Sequence, residues 1–141
     1  MMKRREARRI AFELIYEAGV RGVADDAGLR EIYKNARENR EFEEDEYITN
    51  VFFGVFEKLA VIDEKIAACA RGWKTDRLSK VSQAIMRLCV YEMTNCQDIP
   101  YVIAINEAVE LAKTFDHEKA PAFINGVLNA VALTEGLKSE Q

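Results

Sequence analysis

Five cations crowd the first nine residues. Lys3, Arg4, Arg5, Arg8 and Arg9 stand against one acid, Glu6, which gives that stretch a formal charge of +4. The whole chain carries −4, so the remainder carries −8. Guanidinium groups bind phosphate oxygens through paired hydrogen bonds, and a basic tip on an acidic chain is the footprint of a polyanion site. That tip works against folding. Cations in a helix's first turn oppose its dipole by about 0.3–1 kcal/mol each, and neighbouring like charges repel. The free N–H groups of a helix start attract phosphate as well. Phe12 and Tyr16, further along, offer a stacking surface for an unpaired base. The favoured ligand is RNA. Two alternatives stand beside it: a solvated charged tail with Phe12 in the core, and an acidic membrane surface. The second is weakened because no exposed apolar face adjoins the arginine arc.

Catalytic chemistry finds little support. The single histidine, His117, lies between Asp116 and Glu118 in a helix–helix turn with no evident orienting partner. Glu107 and Glu110 share a helix face that reads as the wet side, with Glu110 and Lys113 spaced for a surface ion pair. No glycine loop cradles phosphate and no metal-ligand spacing occurs, so no cofactor is expected. Cys69, Cys89 and Cys96 form no CxxC motif and read as reduced thiols of a cytoplasmic protein. No apolar segment suits a signal peptide or a membrane span.

The elements that position these residues are helical. Two prolines and seven glycines in 141 residues leave long stretches uninterrupted. A chain this long buries about two-thirds of its unfolded surface, enough to fold without staples. The first helix covers residues 4–18, with Ala7, Ile10, Ala11, Leu14 and Ala18 inward and Gly19 and Gly22 as stops. The basic arc, with Phe12 and Tyr16, forms a second face. Glu6, Glu13 and Glu17 form a third. A second helix spans 26–38. A third follows the acidic cluster 43–46, carrying Tyr47, Val51, Phe52, Val55 and Leu59. A fourth runs over 62–69 and breaks at Gly72. The segment 72–78 reads as a joint.

A fifth helix spans 79–95. Pro100 opens a sixth, with Val102, Ile105, Val109, Ala112 and Phe115 inward. A seventh starts near Pro121, with Phe123, Val127, Ala130 and Val131 on one side. The tail from Gly136 is expected to fray. Asn106, Asn125 and Gly126 sit in apolar runs. They are expected to serve as buried polar ties and a close backbone contact, with direct ligand contact as the alternative. Phe123 is either core or the mouth of a groove. The expected fold is all-α: a single domain over 1–141, a compact bundle of about seven helices arranged as two sub-bundles, roughly 1–72 and 73–141.

Four segments together resemble the NusB family of transcription antitermination factors. They are KRREARRIAFELIYEAG at 3–19, RLCVYEM at 87–93, DIPYVIAINEAVELAKTF at 98–115 and FINGVLN at 123–129. Residues 20–75 match in pattern only. The resemblance implies two helical bundles set against each other and no enzymatic activity. It implies binding of boxA-type single-stranded RNA in a heterodimer with the ribosomal protein that doubles as NusE. The pair would act on the RNA polymerase elongation complex in ribosomal RNA transcription, and some members form homodimers.

By position, the resemblance places Arg4, Arg5, Arg8 and Tyr16 in the RNA-contacting helix, extended by Lys3. It puts Asp76 and Phe123 near the RNA path and Ser82 where the partner protein docks. Ser82 replaces an acidic residue the family can carry there, and Glu6 dilutes the basic run. The same fold also resembles the RNA-binding domain of ribosomal RNA cytosine methyltransferases, a second reading. A structural homodimer is a third.

Overall fold

Each helix begins and ends where a local interaction directs it. In the computed structural model, which describes residues 2–40, 42–73 and 78–138, seven helices account for all the regular structure. They are α1 (Arg4–Arg21), α2 (Asp26–Arg40), α3 (Glu46–Glu57), α4 (Leu59–Ala67), α5 (Lys80–Asn95), α6 (Tyr101–Phe115) and α7 (Ala120–Thr134). Asp45 caps α3 by accepting from the Ile48 N–H at 3.2 Å. Ser79 caps α5 by accepting from the Ser82 N–H at 2.9 Å. Helix α1 runs through Gly19 and stops at Gly22, which adopts φ 68°. There the Val23 N–H returns to the Ala18 carbonyl at 2.9 Å, closing a Schellman-type end.

Helix α5 is the axis of the molecule. Every residue from Ser82 to Val90 is buried, so this helix is covered on all sides. It packs against α1, α3, α4, α6 and α7, while α2 lies on α1 and α6 lies on α7. One continuous core joins these elements, from Ala7 in α1 to Ala132 in α7. The crossing of α3 and α5 is close: a Cβ at Gly54 would run into the Tyr91 ring and hydroxyl, so glycine fits there where a side chain would force Tyr91 to move. The expected boundary near residue 72 adjoins residues 74–77, which lie outside the described ones.

Two expected stripes differ from those observed. In α6 the buried residues are Ala104, Ile105, Ala108 and Ala112, whereas Val102 is exposed. In α7 they include Ile124, Val127, Leu128 and Val131, whereas Phe123 is exposed. In both helices small or branched residues fit against α5; Val102 lies outside the expected stripe, and of the two alternatives for Phe123 the core one is excluded.

Candidate nucleic-acid interface

The basic residues of α1 have opposite fates along one and a half turns. Lys3 and Arg4 are exposed and pair with no carboxylate among the described residues. The Arg4 guanidinium lies 4.4 Å from the centre of the Tyr47 ring, a cation–π contact that fixes it beside the helix start. The Arg5 side chain is 77% exposed and holds Glu107 through two bonds, of 3.0 and 2.7 Å. Those bonds, with the Arg5 charge, keep the Glu107 carboxyl below its usual range against the opposing effect of burial. Arg9 pairs with Glu13 one turn on, at 3.2 Å, and Arg40 from α2 reaches the same carboxylate.

Arg8 points the other way. Its side chain is 5% exposed and meets Glu92, itself 1% exposed, at 2.9 Å. A further bond runs to Glu107 at 3.3 Å, and the Tyr47 hydroxyl donates to Glu92 at 3.0 Å. Burial alone would lower the Arg8 pKa; the hydrogen bonds and charge of Glu92 outweigh it, so the net shift is upward. The Tyr47 hydroxyl is pushed up by burial and by the Glu92 charge. Arg8 is thus an internal clamp joining α1, α5 and α6, which corrects its placement among surface contacts. Arg8 and Glu92 are 84 residues apart, and no local spacing announces the pair.

Phe12 is also internal, as one alternative held. Its ring lies 5.2 Å from Phe115 and 6.3 Å from Tyr16, both of which reach the surface. Between α1 and α6 a cleft of about 560 Å³ brings Lys3, Arg5 and Arg9 together with Glu6, Glu107 and Glu110, beside the apolar wall of Phe115. On the opposite flank of the helix start, Arg4 faces Glu43, Glu44 and Glu46 across a second hollow. On the α6 side Lys3 is the cation without a carboxylate partner among the described residues, and it adjoins the aromatic carbon of Phe115.

The remaining predicted residues are spread over the fold. Phe123 is 39% exposed in the first turn of α7. Asp76 lies outside the described residues. Ser82 is 2% exposed; its hydroxyl and that of Ser79 both donate to Asp116 at the end of α6. That tie fixes the start of α5 and leaves Ser82 no side-chain surface for a partner, correcting the docking role assigned to it. Asn106, Asn125 and Gly126 are exposed, not buried ties. A Cβ added at Gly126 has nothing within 4 Å, so no close packing explains that glycine. Among the described residues no cluster of His, Cys, Asp or Glu could hold a metal ion, and no helix is long and apolar enough to cross a membrane.

Comparison with known proteins gives a consistent result. A family model, that of the NusB family, matches residues 5–133. The transcription antitermination protein NusB of Acetivibrio thermocellus is 43% identical over 132 residues, covering 92% of this chain and 88% of that protein. Among solved structures, NusB of T. maritima superposes with a TM-score of 0.75 at 28% identity, covering 93% of this chain and 91% of the other. A structure of the antitermination factors NusB and NusE in complex with double-stranded RNA superposes with a TM-score of 0.79 at 28% identity, covering 93% and 97%.

Proposed function

The chain belongs to the NusB family, and from that premise we propose a non-catalytic, RNA-binding factor of transcription antitermination. It binds boxA-type single-stranded RNA together with a NusE-type ribosomal protein, in the cytoplasm, and the pair acts on RNA polymerase in ribosomal RNA transcription. One observation carries the reading at the level of residues. Lys3 and Arg5 stand at the rim of a cleft walled by Phe115, and Arg4 is exposed on the other flank of the same helix start. Phosphate is gripped by Lys3, Arg4 and the helix N–H groups, and Arg5 holds the rim through Glu107. Tyr16 and Phe123 present aromatic faces to bases, and Asp76 stands as a further contact. Arg8 supports that surface from within. The Ser79–Ser82–Asp116 tie fixes the junction of α5 and α6, beside which the partner docks.

Phosphate contacts supply affinity without sequence identity. A chain with net charge −4 gains specificity by presenting RNA on a surface shared with a second protein. Fluorescence anisotropy tests this with a boxA-type RNA, a scrambled RNA and a duplex, each with and without the NusE-type protein. Weak binding alone, tighter binding with the partner and preference for the boxA-type single strand are expected. Equal binding of the scrambled RNA with the partner present would refute the reading.

A further inference from the structure

A second cleft lies between α6 and α7, beside the basic rim but chemically unlike it. It holds about 410 Å³ and is lined by Arg5, Ile103, Asn106, Glu110, Lys113 and Asn125 among others. Its charges cancel in pairs. Arg5 meets Glu107 at 2.7 Å and Lys113 meets Glu110 at 3.6 Å. A cleft without a free cation has little attraction for phosphate. What it offers is amides: Asn106 and Asn125, both exposed, on adjoining helices.

The two amides are presented differently. Asn106 has no hydrogen-bond partner among the described residues, so both its donor and its acceptor face outward. Asn125 is oriented by a relay. The Lys138 ammonium, which can only donate, bonds Asn129 Oδ1 at 2.9 Å. The Asn129 Nδ2 is thereby turned to Asn125, donating to its Oδ1 at 3.2 Å and to its backbone carbonyl at 2.9 Å. Asn125 Oδ1 therefore already accepts one bond, and its N–H pair is free among the described residues. Ile103, exposed on the same wall, adds an apolar surface. Together these groups match the edge of a nucleobase, with donors and acceptors side by side on a flat apolar body.

Gly126, next to Asn125, is exposed. Alanine is the better helix former, and nothing in the fold lies within 4 Å of the methyl it would add. The fold does not need this glycine, and it does not line the cleft.

We propose that the α6–α7 cleft takes one unpaired base of the bound RNA and reads its edge through Asn106 and Asn125, with Asn129 and Lys138 as positioning residues. This rests on the RNA-binding reading above and adds the sequence-reading element that the basic rim lacks.

The test uses the complex with the NusE-type protein and a set of boxA-type RNAs, each carrying one abasic position. For the parent, one abasic position is expected to weaken binding about tenfold beyond its neighbours. In Asn106→Ala and Asn125→Ala that penalty should vanish while the salt slope and Tm stay unchanged. Asn129→Ala should shrink the penalty at the same Tm. An abasic penalty that persists in both cleft variants overturns the proposal. So does a loss of partner binding by those variants without RNA, which would assign the asparagines to the protein interface. If the parent complex binds none of the RNAs, the broader functional reading fails instead.

Discussion

The outer and inner turns of α1 carry the same residue type and do opposite work. At Arg4 and Arg5 the guanidinium groups stand in solvent, one over the Tyr47 ring and one on Glu107. At Arg8 the group is buried against Glu92 and Glu107. Glu107 links the two turns, accepting from both arginines. The contrast shows that charge along a helix is not charge on its surface. Of five cations in the first nine residues, Lys3 and Arg4 alone lack a carboxylate partner among the described residues. The clamp beneath them sets the angle at which they are shown.

Breaking the inner turn should have the largest effect. Arg8→Ala leaves Glu92 buried without its counter-charge and is expected to destabilise the fold by about 3–5 kcal/mol, read by urea denaturation. Arg5→Ala, at an exposed pair, should change stability by less than about 1 kcal/mol. Similar losses in the two variants would erase the distinction between the turns. On the outer turn, Arg4→Glu should weaken RNA binding about tenfold with Tm little changed. A cap lies outside both turns and calibrates them: Ser79→Ala should lower stability by about 1 kcal/mol through loss of the α5 cap.

The smallest effect is a pH dependence at the link. The folded Glu107 carboxyl titrates below its unfolded value, held down by Arg5. Its contribution to stability is therefore fully present above the unfolded carboxylate range and is lost as pH falls through the folded value. Comparing the parent with Glu107→Gln by thermal melts from neutral to acid pH should show the difference between them shrinking as acid is added.

Much of the architecture was legible in the sequence because helix periodicity and capping are local. The count of seven helices, the Ser79 start of α5 and the Pro100 start of α6 follow from spacing and residue type, whereas Leu59, expected on the third helix, opens α4, which spans Leu59–Ala67 in place of the expected 62–69. Facing was less legible. Val102 and Phe123 carry the apolar bulk expected of core residues, yet alanines and branched aliphatics fill the contacts with α5. The candidate site was read half correctly for the same reason. The basic tip is visible in composition, but the burial of Arg8 depends on Glu92, brought near by the packing of α1 on α5. Asn106 and Asn125 look buried in their apolar runs, and only the register of α6 and α7 against the core turns them outward.

The central claim is that the outer turn grips RNA phosphate while the inner turn holds the fold. The salt dependence of boxA-type RNA binding, measured for the parent and a Lys3→Ala/Arg4→Ala double variant in complex with the NusE-type protein, tests it most directly. Each lost phosphate contact on a single strand lowers the log–log slope by about 0.7, so the double variant should show a slope shallower by about 1.4 at unchanged Tm. Parallel lines for the two proteins would contradict the account.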